Sequence, residues 1–258
     1  MKTKLIQNYK VFEGGYNTQM PLLVKEGLQP LTSKDIMQYR LQAIQGKDKD
    51  EINFWLKKYF DTADGLAYHG NKLIVVPNSQ ELLNIDQDSK LTNGSLILSS
   101  EQYEQLSKEH EVIKRNKIVS GKHLTKEKAK QHPIWLKLAQ EDKSLLNEYA
   151  DAIFAEAEEF YDNNNYNENM GVYLPPNDQN KPLMRGWFLR NSVGRFDANA
   201  GNYSDYDCCL LGVRAQNFGS LLEEIVKEAK IMNPQEVRKA LEFYKTAKKG
   251  SIDLKLLQ

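Results

Sequence analysis

Residues 188–215 contain no Lys, Glu, Gln, Met or Trp, although those five types supply 73 of the 258 residues in the chain. Independent draws at that frequency would miss all five over 28 positions about once in ten thousand trials. The stretch is instead dense in Asn, Asp, Tyr, Ser, Gly and Cys, which reads as strands joined by polar turns. The excluded types share one property: none has a codon ending in a pyrimidine, whereas every residue from 188 to 215 has one. An AAC codon randomised at its adenines yields Asn, Asp, Tyr, Ser, Cys, Arg, Gly, Phe, Val and Ala, but never Lys, Glu or a stop. The same spectrum suits a binding surface, where Tyr supplies rigid contact area and Ser, Gly and Asn supply adaptable hydrogen bonds. Ordinary surface turns between Lys-poor strands account for part of the pattern as well.

The rest of the chain excludes several classes. It carries 35 basic and 35 acidic side chains, so zero net charge removes the usual warrant for a nucleic-acid partner. With 40% hydrophobic and 10% aromatic residues it can bury a sizeable core. No apolar run approaches the ~20 residues of a membrane span, so no membrane insertion is expected. Met1 to Gln7 begins basic without a signal peptide's apolar stretch, which leaves a cytoplasmic place, or a virion or surface place reached by another route. Cys208 and Cys209 are the only cysteines, which rules out a disulfide framework or a Cys-rich zinc site. Neighbours in a strand point to opposite faces, so they do not form a redox pair. There are 28 Lys against 7 Arg, a skew typical of AT-rich genes, yet Arg185, Arg190, Arg195 and Arg214 fall within 30 residues of one another.

Periodicity gives a mixed α+β order. Pro21 to Val24 reads as a short strand, and Ser33 as the cap of a helix carrying Ile36, Tyr39, Ala43 and Ile44. A second helix carries Ile52, Trp55, Leu56 and Tyr59. Residues 65–76 read as a hairpin turning at His69-Gly70-Asn71, and 95–98 as a strand followed by a helix capped at Ser99 or Ser100. Helix resumes at Thr125 and is interrupted at His132-Pro133. The clearest helix spans 143–161, with Leu145, Leu146, Tyr149, Ile153, Ala157 and Phe160 on one stripe. A polar loop at 162–167 precedes strands at 171–174, 183–189 and 210–215, and helix returns after a capping Asn233.

Catalytic signatures are missing. The histidines His69, His110, His123 and His132 lack metal-site spacing, and no phosphate loop, dinucleotide fingerprint or nucleophile elbow occurs. Asp61 and Asp64, three residues apart, could serve a metal, but a polar turn with capping side chains is the favoured reading. No enzyme, cofactor or metal is expected. Were the chain an enzyme, Asp61, Asp64 and His69 would be the first residues to test.

A long helix, a strand, the aromatic-bearing Met184-Arg185-Gly186-Trp187-Phe188-Leu189-Arg190, the compositional gap and a closing Leu211-Gly212-Val213-Arg214 follow in order. Over about 140–215 this resembles the variable proteins of diversity-generating retroelements, of archaeal or archaeal-virus type. In that family adenine-directed reverse transcription rewrites one segment on a C-type-lectin-type fold. The resemblance implies an α+β, C-type-lectin-like fold with additional N- and C-terminal helices. It divides the chain into an N-terminal helical or irregular segment (1–60) packed on the main domain, that domain (61–215), and a helical appendage (216–258). The appendage departs from the family, whose variable segments commonly end the chain. Cys208-Cys209 also lacks the spaced pair of the related sulfatase-modifying enzymes, so their oxidase chemistry is not carried over. Trp187, Phe188, Leu210, Leu211 and Val213 would hold the scaffold. The changeable, ligand-binding residues would be Asn191, Ser192, Gly194, Arg195, Phe196, Asp197, Asn199, Asn202, Tyr203, Ser204, Asp205, Tyr206, Asp207 and Cys208, with Tyr203 and Tyr206 as anchors. The implied partner is a protein surface or a cell-surface glycan, bound by a monomer. A non-diversified interaction or virion-associated protein is the competing reading.

Overall fold

The computed structural model of the chain describes residues 9–160, 167–176, 180–192, 195–201 and 208–214. The chain divides into two units, Met1–Arg214 and Ala215–Gln258, and all described residues belong to the first. The expected loop at 162–167, except Asn167, and the C-terminal helix after Asn233 lie outside the described residues.

The elements run β1 (Tyr9–Glu13), α1 (Tyr16–Lys25), β2 (Leu28–Pro30), α2 (Ser33–Gly46), α3 (Lys49–Lys57), β3 (Tyr59–His69) and β4 (Lys72–Val76). Then follow α4 (Gln80–Leu83), β5 (Leu91–Thr92), β6 (Ser95–Ile97), α5 (Ser100–Glu109), β7 (Ile113–Lys114), β8 (Lys122–Thr125), α6 (Lys126–Lys130), α7 (Pro133–Leu138) and α8 (Lys143–Phe160). The last strands are β9 (Glu168–Tyr173), β10 (Leu183–Ser192), β11 (Arg195–Asn199) and β12 (Cys208–Arg214). The sheet follows the order β1-β12-β3-β10-β11-β9-β8. β12 is parallel to β3 and β11 is parallel to β9, while the other neighbours along this path are antiparallel.

Alternation along the central strands sorts their side chains onto two covered faces. Phe60, Leu66 and Tyr68 of β3 and Cys209 and Leu211 of β12 join the larger core, with residues of α2, α3, α7 and α8. Ala67 and Met184 face a second cluster with Leu82, Tyr103 and Leu106, and Leu210 joins Phe12, Met20, Leu23 and Ile85 in a third. The α8 stripe is buried at Leu145, Leu146, Tyr149, Ile153 and Ala157, as its spacing requires. Of the expected scaffold residues, Trp187, Phe188, Leu210 and Leu211 are buried and Val213 is half-buried.

Several local expectations change for physical reasons. Pro21 lies inside helix α1 rather than in a strand, because Met20 and Leu23 bury completely against β12 and outweigh the backbone bond that proline forfeits. Thr32, not Ser33, caps α2 in a reciprocal box with Asp35. His132 caps α7, with Pro133 beginning that helix; its Nδ1 accepts from Ile134 N–H, leaving the other ring nitrogen 3.0 Å from Val119 O. Burial lowers its pKa, which suits that neutral, structural role. Residues 1–60, expected as a helical or irregular segment, also contribute β1 and β2, both paired to β12 within the sheet.

Candidate ligand-binding site

β10 and β11 form a tight hairpin, with Phe188 opposite Asn199 and Ser192 opposite Arg195. Of the fourteen candidate residues, Arg195 is exposed on it and Ser192 closes its outgoing strand. Asn191 is half-buried, and its Nδ2 donates to Leu56 O at 2.7 Å. Phe196, Asp197, Asn199 and Cys208 are buried, at 2%, 1%, 1% and 3% exposure, which corrects their expected place on an open face. The reason is position in the sheet. β11 runs between β10 and β9, and β12 between β1 and β3, so neither is an edge strand. Their faces pack against the larger core on one side and, on the other, against the Arg190–His123–Tyr173 group or the Phe12–Met20–Leu23 cluster. Gly194, Asn202, Tyr203, Ser204, Asp205, Tyr206 and Asp207 lie outside the described residues.

The buried positions do structural work. Asn199 Oδ1 accepts the Gly201 N–H at 2.7 Å and holds the exit from β11. The Phe196 ring sits 5.4 Å from the Arg40 guanidinium, and that guanidinium donates to Trp55 O (2.9 Å), Tyr149 Oη (2.9 Å) and Leu189 O (3.2 Å). One fully buried arginine thus ties α2 and α8 to β10 beneath the hairpin.

Asp197 is the centre of a polar cluster on the other side of the same strand. Arg190 Nε donates to Asp197 Oδ2 at 3.0 Å, and His123 Nε2 stands 3.1 Å from Oδ1 without the alignment of a hydrogen bond. Tyr173 packs under both partners, 5.4 Å from the Arg190 guanidinium and edge-on to His123 at 6.1 Å. Burial raises the Asp197 pKa against the opposing pull of His123 and Arg190. The carboxylate also needs the bare backbone of Gly171. A Cβ there would meet Asp197 Oδ1 at 2.6 Å and Lys122 O at 3.2 Å. Gly171→Ala is expected to destabilise the fold by about 2 kcal/mol in urea unfolding, since backbone and a buried charge cannot both move aside.

The Asp61-Thr62-Ala63-Asp64 segment is not a turn but the middle of β3. Asp64 accepts the Ser33 and Asn78 backbone N–H groups at 2.7 and 2.9 Å, a structural role. Thr62 Oγ1 donates to Trp187 O, and Tyr16 Oη donates to Thr62 O. Asp61 points to the opposite face from Phe60, into a cavity of about 260 Å³ that includes neither Asp64 nor His69 in its lining. Desolvation lifts the Asp61 pKa to about 7. His69 is exposed at the end of β3 against Tyr103, so the three residues do not converge. Among the described residues no group of three or more His, Cys, Asp or Glu side chains is placed to hold a metal, and no helix is long and apolar enough to cross a membrane.

Two members of the arginine cluster seen in the sequence organise this region, Arg185 from a buried position and Arg190 from a half-buried one. Arg185 donates to Ser95 Oγ (2.5 Å), Ala200 O (3.3 Å) and Gly201 O (2.6 Å) and also to Asn93 O, while Arg190 serves Asp197. Arg40, His123 and Tyr173 carried no signal, because their partners are distant in the chain.

No protein-family profile matches the chain, and no curated protein matches it. A solved structure does, described as "Accommodation of massive sequence variation in Nanoarchaeota by the C-type lectin fold". The alignment covers 82% of this chain and all of the other, with a TM-score of 0.64 at 14% identity. The fold is therefore of the C-type lectin class, α+β, as the sequence resemblance implied.

Proposed function

We propose that the protein is a ligand-binding display protein on a C-type-lectin scaffold, with surface positions between 191 and 209 diversified by adenine-directed mutagenic retrohoming. The observation that carries this reading is the coincidence of two boundaries. The compositional gap at 188–215 begins in β10 and ends just past β12, spanning the hairpin and the closing strand of a fold that elsewhere accommodates massive sequence variation. Burial narrows the changeable set. Phe196, Asp197, Asn199 and Cys208 are scaffold residues in this reading, and Asn191 is an anchored one. The contacts are then Ser192, Gly194, Arg195 and the polar, tyrosine-bearing run Asn202, Tyr203, Ser204, Asp205, Tyr206 and Asp207. Tyr203 and Tyr206 would anchor a protein or cell-surface glycan target, with adaptable polar groups around them.

The test is in the DNA. A near-copy of the codons for 188–215, differing only at adenines and lying beside a reverse transcriptase gene, is expected. Its absence overturns the mechanism. Sequences from closely related isolates then separate contacts from scaffold. Changes are expected at Ser192, Gly194, Arg195 and 202–207, with Phe196, Asp197, Asn199 and Cys208 spared. Equal variation at the buried positions would defeat the narrowed assignment.

A further inference from the structure

Of the buried ionisable groups among the described residues, Asp61 stands apart. Its residue is 3% exposed, and its carboxyl makes no hydrogen bond or ion pair with any described residue. Asp64 on the same strand is satisfied by backbone N–H groups, and Asp197 by Arg190. Buried carboxylates are normally paired, because desolvating an unpaired one is expensive. Asp61 instead faces the cavity of about 260 Å³ between α1, α4, the β5–β6 hairpin and the sheet. Register explains its position: Asp61 sits between Leu210 of β12 and Phe188 of β10, with Tyr16 of α1 also at the cavity. The remaining walls are largely apolar, including Leu82, Ile85 and Met184.

Tyr16, Asn17 and Arg185 are the other polar residues lining the cavity, and two of them have duties elsewhere. The Tyr16 hydroxyl donates to Thr62 O at 2.9 Å, and Arg185 is committed to Ser95 and to carbonyls of Asn93, Ala200 and Gly201. A hard divalent cation would require several oxygen ligands, and one carboxylate in an apolar chamber does not provide them. An alkylammonium ion matches the lining better: its charge pairs with the carboxylate, its chain takes the apolar walls, and aromatic faces favour its head group.

We propose that this cavity is a binding site for a small organic ammonium ion, with the Asp61 carboxylate as its counter-ion. The site is independent of the diversified-surface reading and would stand if that reading failed.

The test is isothermal titration of the full chain with n-butylammonium chloride at pH 8, alongside thermal melting at matched ionic strength in sodium chloride. The expected result is millimolar binding and a raised melting temperature. 1-Butanol, the neutral analogue, should give no comparable shift. Asp61→Asn keeps the shape of the cavity and should weaken n-butylammonium at least about tenfold while remaining folded. Three outcomes overturn the proposal: no binding of n-butylammonium up to about 50 mM, equal binding by the wild type and Asp61→Asn, or equal binding of the alcohol and the amine.

Discussion

At pH 8, Asp61→Asn is expected to be more stable than the wild-type protein by on the order of 4 kcal/mol, whereas at about pH 4 the two should unfold together. The sign follows from the direction of the shift. Desolvation raises the Asp61 pKa to about 7 in the folded chain, against about 3.9 in an unfolded one. Between those values the folded state holds a proton that the unfolded state has released, so stability falls as pH rises through this window and levels off above it. Asparagine does not titrate and removes that slope. Its neutral amide also desolvates at much lower cost than a carboxylate. The neighbouring ionisable groups are Tyr16 on α1, Asp64 on the same strand, Cys209 on β12 and Arg185 on β10. Burial pushes Tyr16 well above its usual value and Cys209 to about 12, so neither titrates in this window. Urea unfolding of both proteins from pH 4 to 8 checks the prediction, and a pH-independent difference between them would refute it. The gain in melting temperature at pH 8 should be roughly 10 °C for a chain of this size.

The second large effect is at Arg40. Arg40→Met should cost about 4 kcal/mol in urea unfolding, because it strands the Trp55 and Leu189 carbonyls and the Tyr149 hydroxyl in the core. It also removes the guanidinium from the Phe60 and Phe196 rings. Arg40→Lys should recover little of the loss, since a single ammonium cannot reproduce a planar fork that reaches three acceptors. A loss below about 1 kcal/mol for Arg40→Met would show that the network is incidental to stability.

Local pattern was enough wherever one element could be judged by itself. The stripe from Leu145 to Ala157 named its buried face, and His69-Gly70-Asn71 marked the β3–β4 turn. It failed where distant chain decided the outcome. Tyr9–Glu13 is a strand because β12, some two hundred residues later, offers it a ladder from Tyr9–Val213 to Glu13–Cys209. Pro21 could be read as helical only by knowing what Met20 and Leu23 pack against. The candidate site was legible to the same degree. Composition marked the segment and the family resemblance named Trp187, Leu210 and Leu211 as packing residues, which are buried, but polar Asp197 and Asn199 gave no sign of burial. Asp197 goes inside because Arg190, His123 and the bare backbone of Gly171 meet it there, and those three come from β10, β8 and β9.

The closing strand has a consequence for how the protein is made. β12 is inserted between β1 and β3, while its own residues arrive near position 210 of the chain. Until the ribosome has released Cys208–Arg214, the edges of β1 and β3 that flank this gap have no partner, and the sheet cannot close across it. Residues 202–207 are therefore translated before the sheet is complete. A sequence ahead of β12 that delays the last pairing would leave two bare edges open to other chains during synthesis.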